Sequence, residues 1–284
     1  MLFVCIGIVA GCNKSFVETD PATGISPVSL TTTSTGSCSV INISQKNRDY
    51  GNVDNSFQIT RDTNFIPTRM RLYDSLAGKS DYDINVFLSG DSMLLSTGEY
   101  LLRDPVTKLI KVLSTKSDIY DPNSDDKLCL YFYNTQGYLI KKQIFLNGSA
   151  YPSYETTYGY DNNLLTGCVV TAGANKLKLI ESTLAYDTSK IVKPWIYLFP
   201  DFFEGYNYLQ AFNFGKKAAS PVSSILTRIF DINDGSIIDY WYTSFAGYVY
   251  SKDNFILQTT AKGDLQQGLG LLFGITRFDY QCTK

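Results

Sequence analysis

From Cys38 to the carboxyl terminus, aromatic and aliphatic residues alternate with polar ones in runs of six to ten, and short Asx/Gly-rich turns separate the runs. This period of two, punctuated by turn residues, predicts antiparallel hairpins and an all-β protein. The clearest unit is Tyr131-Phe132-Tyr133-Asn134-Thr135-Gln136-Gly137-Tyr138-Leu139. An aromatic ends one strand, Gly137 takes the left-handed position of a bulged turn, and Leu139 starts the return strand. The same spacing recurs at Tyr250-Ser251-Lys252-Asp253-Asn254-Phe255-Ile256, with Asn254 in place of glycine. Looser copies occur at Tyr160-Asp161-Asn162-Asn163-Leu164 and at Phe230 to Ile237, and Tyr73-Asp74, Tyr120-Asp121 and Tyr186-Asp187 read as eroded ones.

Composition narrows the chemistry. The 284 residues carry 25 basic and 27 acidic side chains, a net charge of −2 that gives no field for holding a nucleic acid. Histidine is absent, which removes Ser-His-Asp triads, Cys-His pairs and imidazole metal sites together. Gly90-Asp91-Ser92-Met93-Leu94 resembles the nucleophile block of the GDSL esterases, but its serine has no histidine base and is read as a turn residue. Asp121 to Asp126 starts like a calcium loop, then places Asp126 where glycine belongs and Phe132 where the bidentate glutamate belongs, so it is read as a polar turn. A glycosidase needs only two carboxylates, yet Glu99, Glu155, Glu181 and Glu204 sit in no catalytic block. No catalytic residue, metal or cofactor is assigned.

The amino terminus is organised differently. Leu2 to Gly11 is an apolar run about as long as a signal-peptide core and far short of the ~20 residues of a membrane-spanning helix. It ends in Val9-Ala10-Gly11-Cys12, which resembles the bacterial lipobox. The resemblance implies cleavage before Cys12, acylation of that residue and attachment to a membrane through the lipid. Between Glu18 and Ser37, 14 of 20 residues are Ser, Thr, Gly or Pro, which bury too little apolar surface to offset their ordering entropy and read as a tether. The expected layout is a signal peptide over 1–11, a lipid-anchored linker over 12–37 and one β domain over 38–284. The surface-export signal of such lipoproteins is acidic, which Asn13-Lys14-Ser15 is not, so the periplasmic and cell-surface sides both stay open.

With Cys5 and Cys12 removed from the count, Cys38, Cys129, Cys168 and Cys282 remain in an oxidising compartment. Cys38 and Cys282 stand at the two ends of the folded region, and a disulfide between them would staple those ends. On a flat meander Cys129 and Cys168 lie about 14 Å apart, beyond bonding reach, and are expected as buried thiols.

The tyrosine-rich hairpins, Lys193-Pro194-Trp195 before an aromatic segment, Ser220-Pro221 after it, and the closing Phe278-Asp279-Tyr280-Gln281-Cys282 together resemble the YD-repeat-like envelope lipoproteins of Bacteroidetes-type bacteria. The resemblance implies an open antiparallel sheet with a short helical insertion. Asp201 to Phe214 is the expected helix, since Pro200 precedes it and Gly215 follows it. In Asp239-Tyr240-Trp241-Tyr242 the side chains alternate, so Tyr240 and Tyr242 share a face opposite Trp241. Core packing is one reading of these rings; a platform for stacking sugars, with Trp195 as a further aromatic, is the other. The expected function is a non-catalytic, lipid-anchored protein of the outer membrane that binds a glycan or an envelope protein. A structural scaffold and a carboxylate glycosidase are the alternatives.

Overall fold

The computed structural model describes residues 38–47, 53–74, 79–116, 125–198, 210–264 and 274–282. The expected signal peptide, Cys12 and the expected linker therefore lie outside the described residues. Sixteen strands follow one another: β1 (Cys38–Asn47), β2 (Val53–Arg61), β3 (Pro67–Asp74), β4 (Lys79–Ser89), β5 (Ser92–Leu95), β6 (Tyr100–Arg103), β7 (Ile110–Thr115) and β8 (Lys127–Tyr133) form the first half. The second half is β9 (Leu139–Leu146), β10 (Tyr154–Asp161), β11 (Leu164–Ala172), β12 (Leu177–Tyr186), β13 (Val222–Phe230), β14 (Ile237–Tyr250), β15 (Ile256–Gly263) and β16 (Gly274–Cys282).

Each strand pairs antiparallel with its neighbours in sequence, and β16 pairs with β1, so the sheet closes into a barrel. This corrects the expectation of an open sheet. A sheet with one continuous apolar face must cover that face, and closure covers it without leaving an edge. The turns behave as their residues demand. Gly137 and Asn254 adopt φ of 87° and 64°, and in both hairpins the aromatic after the turn closes it through its carbonyl, Asn134 N–H to Tyr138 O and Ser251 N–H to Phe255 O. Asn162 and Asn163 both take positive φ, as a two-residue hairpin loop requires.

The Cys38–Cys282 disulfide is present, with the two Cα atoms 4.0 Å apart. It lies at the end of the β1–β16 seam, where Cys38 and Cys282 are register partners, so it locks the closure itself. Cys129 and Cys168 are buried thiols on β8 and β11.

Because the strands alternate in direction, one rim of the barrel carries the turns 62–66, 90–91, 104–109, 134–138, 162–163 and 251–255, together with Cys38 and Cys282. The β12–β13 connection, residues 187–221, also leaves from and returns to this rim. Its described part turns inward, and Trp195, Ile196, Tyr197, Leu198, Phe212 and Phe214 join the core. It acts as a plug. No α-helix occurs among the described residues; of the helix expected over 201–214, residues 201–209 lie outside them, and Gln210 and Ala211 form only a 3-10 turn before the chain extends.

Candidate functional site

The plug spans the lumen from wall to wall. Phe214 meets Tyr131 of β8 edge-on at 5.0 Å, while Trp195 meets Phe278 of β16, eight strands away, at 5.4 Å. Within the plug, Tyr197 N–H donates to Gln210 Oε1 and Gln210 Nε2 donates to Tyr197 O, both at 2.7 Å, so a side-chain amide replaces a strand partner. The Tyr197 hydroxyl donates to Gly215 O and accepts from Phe214 N–H. The barrel grips this segment through Ile110 N–H to Asn213 O, Lys216 N–H to Gly137 O, Lys193 N–H to Asn254 O, and the Arg61 guanidinium to Ala211 O. Trp195, expected among the ligand-binding aromatics, is fully buried here. It packs the plug and cannot stack on a ligand from solvent.

The strand-end tyrosines share one task that sequence reasoning missed. Tyr133, Tyr160 and Tyr280 each donate their hydroxyl to a backbone carbonyl at the start of the preceding strand, Ile110 O at 2.7 Å, Leu139 O at 2.9 Å and Ile256 O at 2.7 Å. Tyr248 does the same to Val222 O. Each bond ties an even-numbered strand to its odd-numbered neighbour at the plug rim. Tyr186, at the end of β12, is the exception: its buried hydroxyl has no hydrogen-bond partner among the described residues. The recurrence of Tyr at strand ends carried this signal, but the acceptor is visible only once neighbouring strands are in register.

Beside Tyr186 a cleft with about 420 Å3 of atom-free space, partly open to solvent, is bounded by Tyr138, Tyr160, Tyr197, Lys216 and Lys217 among others. Among the described residues no carboxylate lines it. Lys217 Nζ donates to Trp195 O at 3.2 Å and lies 4.6 Å from the Tyr197 ring centroid. Burial pushes its pKa down to about 7, with the nearby Arg61 charge adding to the shift. Burial also raises the phenol of Tyr186 well above the usual tyrosine value. The cleft is a donor-rich notch suited to a water or a single small acceptor group.

The other aromatic candidates stand on the outer wall. Tyr240 and Tyr242 are 66% and 47% exposed, share the outward face of β14, and are flanked by the exposed Ile237 and Ile238. Trp241 points the other way, and its Nε1 donates to Asp239 Oδ2 at 3.0 Å. Tyr242 N–H donates to Asp264 Oδ2. The result is an exposed strip of two phenol rings, two residues apart on an extended strand, with the Asp264 carboxylate bonded to the Tyr242 backbone.

Elsewhere the outward face carries several ion pairs. Asp83 bridges Arg69 and Arg71, and the two guanidiniums hold its carboxyl down to about 2. Glu155 accepts from Gln143 and Lys176, Glu181 pairs with Lys178 and Arg228, and Asp279 accepts from Asn42. These pairs sit along the strands, whereas a membrane-spanning barrel carries an outward apolar band about 25 Å tall. Glu155 and Glu181 are thus used as surface ion-pair partners, Glu99 accepts from the Thr97 hydroxyl, and Glu204 lies outside the described residues. Ser92 shares a hydrogen bond with the Tyr100 hydroxyl on the outer wall. Asp231 and Asp234 cap the β13–β14 turn by accepting from Asn233 N–H and Ser236 N–H. Among the described residues no group of three or more His, Cys, Asp or Glu is arranged to hold a metal.

No protein-family model and no curated protein matches this chain. Solved structures do. A porin-like protein from Bacteroides uniformis aligns with a TM-score of 0.55 and 11% identity over 89% of this chain and 99% of its own. A porin-like protein from Bacteroides vulgatus aligns with a TM-score of 0.51 and 12% identity over 86% and 99%. At this identity the likeness is one of fold. It overturns the resemblance to YD-repeat-like lipoproteins: the tyrosine hairpins belong to a closed sixteen-strand barrel similar to porin-like ones, not to an open repeat sheet.

Proposed function

We propose that the protein is a non-catalytic binding module of the bacterial outer envelope, held at the outer membrane by a lipid on Cys12, with a barrel that does not conduct. One observation carries this reading: the apolar residues face inward around a plug that crosses the lumen, and charged pairs face outward. Sixteen-strand porins have the reverse pattern, with an apolar exterior and a water-filled lumen. The fold likeness to porin-like barrels supports a place in the outer envelope. The exposed Tyr240 and Tyr242, with Asp264 at the Tyr242 backbone, support a glycan as the ligand, because ring faces stack on sugars while a carboxylate accepts from their hydroxyls. A protein ligand on the same strip is the alternative.

Replacing Cys12→Ser in the full chain tests the anchor. The expected result is a folded protein released from membranes without detergent and silent in planar-bilayer conductance. A variant that stays in the membrane fraction and opens channels would establish the second reading, a spanning barrel, which the exposed and register-paired Phe87, Leu94 and Tyr100 on the outer face of β4, β5 and β6 favour. Glycan-array binding that disappears in Tyr240→Ala/Tyr242→Ala is expected; an array without hits would remove the glycan part.

A further inference from the structure

Two partly buried cations meet at the plug without a carboxylate. Arg61, at the end of β2, donates from its guanidinium to the carbonyls of Phe65 and Ala211, while its buried Nε has no hydrogen-bond partner among the described residues. Lys217, where the plug returns towards β13, donates from Nζ to Trp195 O. Neither cation is ion-paired among the described residues. Burial lowers the pKa of both, and the Arg61 charge lowers that of Lys217 further. Positive charge drawn out of water in this way is costly unless an anion offsets it.

The cleft beside Tyr186 is where this charge meets solvent. Lys217 lines it, and of its three ammonium donors Trp195 O takes one. Tyr186 lines it from β12, with a buried hydroxyl that has no hydrogen-bond partner among the described residues. Tyr160 also borders the cleft, but its hydroxyl proton goes to Leu139 O. Leu165, Ile196 and Leu198 supply apolar wall. The cleft therefore offers hydrogen-bond donors and positive charge, with no carboxylate among the residues that line it.

We infer that the cleft binds the carboxylate of a small organic acid, with the Lys217 ammonium and the Tyr186 hydroxyl donating to its oxygens. The partly buried charge favours an anion over a neutral carbonyl, because a hydrogen bond to an ionised acceptor is the stronger one. An ammonium and a phenol on different elements suit a planar group with two acceptor oxygens, which a halide is not. Bound there, the carboxylate gives the Tyr186 proton an acceptor and the two cations a counter-charge. The exposed Lys216 stands at the solvent side of the same cleft. This site is separate from the Tyr240–Tyr242 strip, which faces outward on β14, and it stands or falls independently of glycan binding there.

The test uses full-length Cys12→Ser protein with sodium acetate as the probe. Acetate replaces sodium chloride at constant ionic strength and at about pH 6, below the Lys217 pKa, so that the ammonium is charged. A ligand of the native state raises Tm in a saturable way, and acetate is expected to do so. Tyr186→Phe should weaken acetate about tenfold, the worth of a hydrogen bond to a charged group, and Lys217→Met should abolish saturation. Each variant is read against its own ligand-free Tm. Tyr186→Phe keeps the ring in place, so it reports on the site even where Lys217→Met fails to fold. Tyr240→Ala/Tyr242→Ala should respond to acetate as the parent does. No saturable rise in the parent, a response to inorganic phosphate at lower concentration than to acetate, or an acetate response unchanged in both cleft variants would each overturn the assignment.

Discussion

The rim tyrosines allow a differential test within one protein. Changing Tyr133, Tyr160 or Tyr280 to Phe deletes a hydroxyl that donates to a backbone carbonyl at 2.7 to 2.9 Å and leaves the ring in place. Such a neutral bond nets about 1 kcal/mol. For a domain of this size that corresponds to about 2–4 °C in Tm. Tyr186→Phe removes a buried hydroxyl with no partner among the described residues. Relief of that desolvation predicts a neutral change or a gain of up to about 1 kcal/mol. Urea unfolding of the Cys12→Ser chain, with slopes compared between variants, reads all four on one scale. If Tyr186→Phe falls with the other three, its hydroxyl has an acceptor and the exception is void. If none of the three moves, the staples contribute nothing to stability.

Three further outcomes follow from the plug and the seam. Lys217 is protonated in the unfolded chain up to about pH 10.5 but in the fold only to about pH 7, so its burial penalty is fully present below pH 7 and fades as pH rises. Stability should climb by about 2 kcal/mol between pH 7 and 9.5, after allowance for solvent near the half-buried side chain, and Lys217→Met should flatten that slope in pH-dependent denaturation. At Gly215, where φ is 101°, an added Cβ would lie 2.5 Å from Gly137 O and 3.1 Å from the Tyr133 ring. Gly215→Ala should therefore cost at least about 2 kcal/mol and speed exchange of the Lys216 amide, which bonds the same carbonyl. Cys38→Ser/Cys282→Ser, which opens a 244-residue loop, should lower stability by up to about 5 kcal/mol, and an unchanged Tm would show that the β1–β16 pairing holds without its covalent lock.

Local physics made much of this protein legible from its residues. Alternation along each run marks which side chains turn inward, because neighbours on a strand point to opposite faces. Gly137, Asn162, Asn163 and Asn254 mark hairpins, because few other residues accept positive φ. Tyr240 and Tyr242 were separable from Trp241 on the same grounds, and the terminal position of Cys38 and Cys282 pointed to a disulfide. Each of these depends on a residue and its immediate neighbours.

Closure, the plug and the tyrosine staples depend instead on which distant segments meet. An open sheet and a barrel have the same alternation; the difference is whether β1 finds β16, a pairing across 229 to 244 residues that leaves no periodic trace. Trp195 illustrates the same limit. Its sequence context suits an exposed aromatic or a buried one, and the inward turn of the described residues around it decided for burial by placing it against Phe278. Secondary structure and facing follow from backbone sterics and hydrophobic pattern, whereas the filled lumen and the unsatisfied Tyr186 hydroxyl arise only when non-local surfaces compete for burial.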